Sequence, residues 1–301
     1  MNASRLRRLQ RGFTLVEAIV AIVIIGILGA VVAVFIRAPI QGYVDTVARA
    51  EASDEADLAL RRMAREIRLA LPNSVRVSAD GDAIEFLLTK TGGRYLAAED
   101  GATEGTPLDF ANPAVTSFTV VGGLRAPLKT SDYIVVYNLG PGMEPADAYA
   151  FARPGSARNI ARVAEPVALG GGTIKLAGGN PFARDDAMPS PGRRFHVVST
   201  PVTFQCETKG GQLVLTRYAG YDIRAAIGDT RTGTTQASVL ARRLASCAGL
   251  FSYGSADAEL RRSALVLLSL GVHARVSGDT SGDTGGGAVR LVHQVHVDNT
   301  P

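Results

Sequence analysis

One carboxylate in this 301-residue chain stands where a charge is expensive. Glu17 lies at the edge of a long apolar run, with no nearby basic residue after Arg11. A carboxylate close to bilayer hydrocarbon is costly unless protonated or paired, so it ordinarily has a task and implies a partner. A second candidate is the cysteine pair Cys206 and Cys247. Two cysteines without Cys-x-x-Cys or zinc spacing, in a segment that reads as exported, point to one disulfide; the alternative is two buried free thiols. Closing a loop of about forty residues would be worth roughly 4 kcal/mol in the chain-entropy account. His293 and His296 are three apart, which on a strand puts them on opposite faces and argues against a shared metal. Asp279 and Asp283 sit among glycines without EF-hand spacing, and read as a solvated loop. Gly-x-Ser-x-Gly, His-Glu-x-x-His and the Walker phosphate loop are absent. No enzyme, metal site or cofactor is expected.

The element that positions Glu17 is hydrophobic. Residues 1–12 form a basic leader with Arg5, Arg7, Arg8 and Arg11 and no acidic residue, and an apolar run follows from Ala18 to Ile36. At 1.5 Å per residue that run reaches about 28 Å, close to the hydrocarbon thickness of a bilayer. It is longer than the core of a secretory signal and needs no small-residue cleavage site after it. The arginines should hold the N-terminus in the cytoplasm, leaving the remainder outside the inner membrane. They also explain the formal net charge of +4: setting those four aside leaves 28 basic and 28 acidic side chains. A neutral remainder lacks the field that draws a protein to a polyanion, so nucleic acid is not an expected partner. Arg193-Arg194, Arg242-Arg243 and Arg261-Arg262 read as solvated surface.

The run of residues Gly12-Phe13-Thr14-Leu15-Val16-Glu17 resembles the processing site of type IV prepilins and type II secretion pseudopilins. The resemblance implies that a membrane prepilin peptidase cuts after Gly12 and methylates the new amine of Phe13. Glu17 would then be fifth in the mature chain, where the family pairs it with the N-terminus of a neighbouring subunit. A plain membrane anchor, the simpler alternative, leaves Glu17 unexplained. Three further stretches resemble minor pilins of the mannose-sensitive haemagglutinin (MSHA) system: DEADLALRRMAREIRLALPNSVRV, Cys247 followed by Phe251 and Tyr253, and the closing LVHQVHVDNTP. Partners implied are other minor and major pilins, the inner-membrane assembly platform and membrane lipid. The rival readings are a type II minor pseudopilin and a tip adhesin or DNA receptor, though the chain has no tryptophan to stack on a sugar.

The expected fold class is α+β, in four segments: leader 1–12, membrane and assembly helix 13–37, amphipathic stem 43–72, and a β-rich periplasmic domain 73–301. Gly26 and Gly29 would permit close helix packing, local melting or mere lipid tolerance, and Pro39 should kink the helix where it leaves the membrane. In the stem, Leu60, Met63, Ile67 and Leu71 form an apolar stripe, Asp57–Arg61 and Arg62–Glu66 are spaced to pair, and Pro72-Asn73 should stop the helix. Strands are expected at Ser74–Ser78, Ala83–Leu88, Val115–Val121, Tyr133–Asn138, Thr173–Ala177, Phe195–Glu207, Gln212–Tyr218, Ala264–Val276 and Ala288–Val297. A helix is expected over Gln236–Ser246. Gly140–Gly155, Gly178–Gly192 and Ser277–Gly287 read as surface loops.

Overall fold

The computed structural model describes residues 12–101, 104–253, 265–275 and 287–300. A single helix of 53 residues, α1 (Leu15–Ile67), runs through the expected membrane segment and most of the expected stem, and passes through Pro39 without interruption. Proline removes one amide donor, and the alanine-rich sequence beyond it is strongly helix-forming and carries the element on. The helix ends before Pro72. Leu69 and Ala70 donate to Glu66 and Ile67 in tight turn bonds, both 3.0 Å, after which Leu71 donates to Leu87 and Thr89 donates to Leu69, both 2.8 Å. The sheet edge captures the backbone first.

The first half of α1 presents its aliphatic side chains outward, while the second half buries Ala48, Ala52, Ala56, Ala59, Leu60, Met63, Ala64 and Ile67. Alanine at these positions lets the helix axis approach the sheet closely. The buried stripe packs on the inner faces of two antiparallel sheets. The larger runs in the order β1-β2-β3-β6-β5-β4-β7-β8-β9 and the smaller β10-β11-β12. Their strands are β1 (Arg76–Val77), β2 (Ala83–Tyr95), β3 (Ser117–Val121), β4 (Tyr133–Val135), β5 (Ile160–Val163), β6 (Thr173–Ala177), β7 (Arg194–Lys209), β8 (Gln212–Tyr221), β9 (Gly233–Ala241), β10 (Phe251–Ser252), β11 (Leu265–His273) and β12 (Ala288–His296). The fold is α+β, as expected.

Strand β2 also pairs with β7, so β2, β3, β6, β5, β4 and β7 close a ring. The two longest strands therefore serve two cores. Ile84, Phe86, Val202 and Phe204 face the helix, whereas Tyr95, Phe195 and Val197 join Phe118, Ile134 and Ile174 inside the ring. Register shifts between Leu87 and Thr91 mark the changeover, where extra residues bend the strand from one core to the other.

Several expectations are corrected. Gln236–Ser246 is no helix: β9 pairs with β8 along its length, and Arg243 has a φ of 51°, outside helical space. Strands β5 and β10 were not expected from the sequence. The Gly140–Gly155 stretch is not a surface excursion throughout, because a short 3-10 turn at Ala148–Ala152 buries Ala148, Tyr149 and Ala150. The Gly178–Gly192 stretch likewise buries Asn180, Phe182 and Ser190. The expectations for 277–286, including Asp279 and Asp283, for Arg261-Arg262 and for the leader up to Arg11 lie outside the described residues.

The chain's end is fastened to the helix exit. Asn73 donates from its backbone to Asn299 Oδ1 (3.2 Å) and from Nδ2 to the Asn138 carbonyl (2.9 Å), while Asn138 Nδ2 donates to the Pro72 carbonyl (2.7 Å). Gly140 lies against this knot with a φ of 110°, and a Cβ there would fall 2.9 Å from the Asn73 carbonyl oxygen, so glycine is required.

Candidate functional site

The sequence motif lies at the exposed start of α1. Thr14 is the N-cap, extended at φ −80° and ψ 149°, and its hydroxyl accepts from the Glu17 backbone N–H at 3.3 Å. Ala18 N–H then donates to the Thr14 carbonyl at 3.2 Å. Thr14-Leu15-Val16-Glu17 has the spacing of a capping box. Only the threonine half is formed. Among the described residues, the Glu17 carboxylate makes no hydrogen bond or ion pair. Gly12 has nothing within 4 Å of a Cβ position, and Phe13 is 73% exposed. Among the described residues, nothing covers either side of the Gly12–Phe13 bond.

The apolar window beginning at this point is not buried at all within the molecule, and by length and composition it can cross a membrane. Water is a poor solvent for such a surface; lipid or other apolar helices are a good one. Gly26 and Gly29 lie on this exposed stretch with open space around them.

Further along α1, charged contacts fix the helix to the sheets. Asp57 pairs with Arg61 at 2.7 Å on the exposed side. Glu66 takes Arg62 at 3.4 Å and also Arg217 of β8 at 2.7 Å. Glu55 accepts from the Arg242 amide at 2.7 Å and pairs with Arg243 at 3.2 Å. Arg193 pairs with Asp100. Arg193 and Arg243 are thus held within the fold through their side chains, and Arg242 and Arg194 through their backbone amides, the latter donating to Ser190 Oγ at 3.2 Å. Cys206, on β7, is joined to Cys247 by a disulfide with Cα atoms 5.4 Å apart. It ties the large sheet to the segment leading into β10.

Sequence reasoning missed Glu85. It is fully buried on β2, between Ile84 and Phe86, and is met by two guanidiniums. Arg76 reaches Oε1 through Nε at 2.9 Å and through Nη2, while Arg224 reaches Oε2 through Nε at 2.7 Å. Thr203 Oγ1 (3.0 Å) and the Tyr221 hydroxyl (2.8 Å) also donate to Oε2. Burial, reinforced by Glu85, pushes the Tyr221 phenol far above its ordinary pKa, so it stays a donor. The available signal was a charged residue amid Ala83–Leu87, all of them buried. Closed on all sides, this cluster offers no reacting atom to a substrate. On β12 the two histidines fall on opposite faces, and no group of three or more His, Cys, Asp or Glu among the described residues could hold a metal ion.

Residues 7–33 match the family described as prokaryotic N-terminal methylation motif. The match spans the Gly12–Phe13 bond, Glu17 and most of the apolar run. The architecture is type IV pilin-like, with an N-terminal processing motif. No curated protein and no solved structure matches the chain. One apolar N-terminal helix followed by a β-rich domain is consistent with a single-pass membrane protein whose globular part lies outside the cytoplasm.

Proposed function

We propose that this chain is a minor pilin of a type IV pilus, resembling MshO of the MSHA system, and acts as a structural subunit in pilus assembly or initiation. Prepilin peptidase cuts after Gly12 and methylates the amine of Phe13. The protein first sits in the inner membrane with its β-rich domain in the periplasm, then passes through the assembly platform into a filament beside other pilins. The observation that carries this reading is α1 itself. It begins at Leu15, inside the matched residues, exposes a long apolar run after Glu17, and anchors its second half in the globular core. A helix built this way can exchange lipid for neighbouring helices without disturbing the domain that it carries. The MSHA assignment is supported by the 54–77 stretch, Cys247 with Phe251 and Tyr253, and the closing strand, all of which lie in or against the helix-facing core.

Mass spectrometry of the N-terminal peptide tests the processing step. The expected mature protein begins with N-methylated Phe13; an intact leader in assembled filaments, or a cut after the apolar run, overturns the reading.

A further inference from the structure

The sheets cover one side of the second half of α1, and the opposite side is open. On that open side Val47, Leu58 and, in the closing turn, Leu69 are 38%, 68% and 52% exposed. They recur every eleven residues, which is three helical turns to within about 20°. Ile36, 52% exposed, carries the same spacing back into the apolar run. Between Val47 and Leu58 the open side bears Glu51 and Asp54, and between Leu58 and Leu69 it bears Arg61 and Arg65, all of them exposed. Among the described residues, the side chains of Glu51, Asp54 and Arg65 make no hydrogen bond or ion pair. Arg61 meets only Asp57, one turn back and open to water. Arg49 is exposed too, but on the sheet side, its Nη2 3.9 Å from where a Cβ on Gly287 would stand.

The open side thus reads apolar, acidic, apolar, basic, apolar, and it is complementary to itself at one offset. Two copies whose apolar runs share one bilayer stand level. Facing each other on this side, they set acid against acid and base against base, which repels. Raising one copy by eleven residues, about 16 Å, changes every contact. Its Asp54 then stands opposite Arg65 of the lower copy, and its Glu51 opposite the turn that carries Arg61. Val47 and Leu58 of the raised copy meet Leu58 and Leu69 of the lower one. An antiparallel pair centred on Leu58 would match the charges as well, but it would send the two apolar runs in opposite directions, which one membrane cannot accommodate.

We propose that the open side of α1 docks on a second copy of this chain, parallel to it and raised by three helical turns, with Asp54 of the raised copy on Arg65 of the lower. The occupant is a second copy because the chain itself supplies both halves of the match, in charge and in apolar spacing alike. This docking rests on the pilus reading, since such a step is open to a subunit leaving the membrane for a filament and closed to one held level in the bilayer. The same charges that favour the raised arrangement disfavour the level one, so the pattern keeps copies apart until one of them is lifted.

The test expresses the full chain as Asp54→Arg, Arg65→Asp or both together, in place of the wild type, and measures each in sheared filaments by quantitative immunoblot. Either single variant sets like charges against each other and should be depleted about fivefold or more. The double variant restores the match between copies and should return to within about twofold of wild type. Because both sites are exposed, all three should unfold at the wild-type denaturant midpoint, and depletion that tracks a lowered midpoint overturns the docking. Undiminished single variants overturn it too. So does a double variant depleted as much as the singles or more, which marks a different partner helix. Wild type absent from filaments would bring down the pilus reading itself, whereas wild type present without rescue by the double variant refutes the docking alone.

Discussion

Glu85 and Glu17 both sit among apolar neighbours, yet one is enclosed by donors and the other meets none among the described residues. Glu85 faces two arginines, a threonine and a tyrosine, and the leftover N–H groups of Arg76 end on the carbonyls of Arg224 and Ala225. Every part of that charge is answered within the chain, so the cluster belongs to the fold. Glu17 lies at the start of an exposed apolar helix, where its backbone is capped by Thr14 and its carboxylate is left over. An internal partner makes a carboxylate structural; a missing one makes it a candidate contact to another molecule. Substituting each in turn should separate stability from assembly.

The largest effect is expected at Glu85. Glu85→Gln keeps the shape and removes the charge, leaving two buried guanidiniums facing each other. Breaking a buried ion cluster by removing one partner costs about 3–5 kcal/mol, and denaturant unfolding of the purified chain should show it. A loss below 1 kcal/mol would mean that the cluster is open to water and the contrast with Glu17 is false. The disulfide comes next. Cys247→Ser frees the loop closed across 41 residues and should lower stability by about 2–4 kcal/mol, without affecting cleavage after Gly12. Non-reducing peptide mapping of the wild-type protein should recover the linked peptides.

How much of this was legible follows the same contrast. The helix and its buried stripe could be read because apolar spacing repeats along one continuous element. Most long strands could be read because their β-branched residues alternate between turn signals. Strand β9 could not. Its residues are mostly exposed, and Gln236–Ser246 is rich in alanine and leucine with helical spacing, so only pairing with β8 decides its state. Strand β5 is four residues long and interrupted by an exposed Arg162, too short for periodicity to register. Glu17 stood out because its sequence neighbours are apolar for a whole bilayer's width. Glu85 did not, because its partners Arg76, Thr203, Tyr221 and Arg224 come from three regions of the chain that only the sheet brings together.

A smaller effect on stability is expected from His196 on β7. Burial disfavours its imidazolium and nearby Arg194 adds to this, while Asp298 opposes it, so its pKa lies below the ordinary 6.5. The unfolded chain then binds the proton more readily than the folded one. The contribution of His196 is complete above about pH 6.5 and is lost as the pH falls through that value toward the folded pKa. Comparing wild type with His196→Gln by urea unfolding between pH 7.5 and 5 isolates it from other titrations. The wild type should lose more stability on acidification, and parallel pH profiles would show that the imidazole is solvated.

The smallest effect on stability, and the most informative, is expected at Glu17. The globular core buries α1 only from Ala48 onward, so nothing at residue 17 supports it. Glu17→Ala and Glu17→Gln should unfold at the wild-type denaturant midpoint. Loss of the Glu17 carboxylate also leaves the Thr14 cap in place, since that bond uses the backbone N–H. On the proposed reading both variants are still inserted and cut after Gly12, because the open Gly12–Phe13 backbone is unchanged. They should nonetheless be depleted from sheared filaments, having lost the anion that meets a neighbouring subunit's N-terminal amine. An exposed ion pair in water is worth about 0–1 kcal/mol, but one enclosed among apolar helices is costly to break on one side, so depletion should be severe. A subunit at the very tip has no neighbour ahead of it, and a strictly terminal position would soften the requirement. Quantitative immunoblots of membrane and filament fractions decide the matter. Equal incorporation of wild type and both variants would reduce Glu17 to a helix-start residue, and the contrast with Glu85 would then carry no message about assembly.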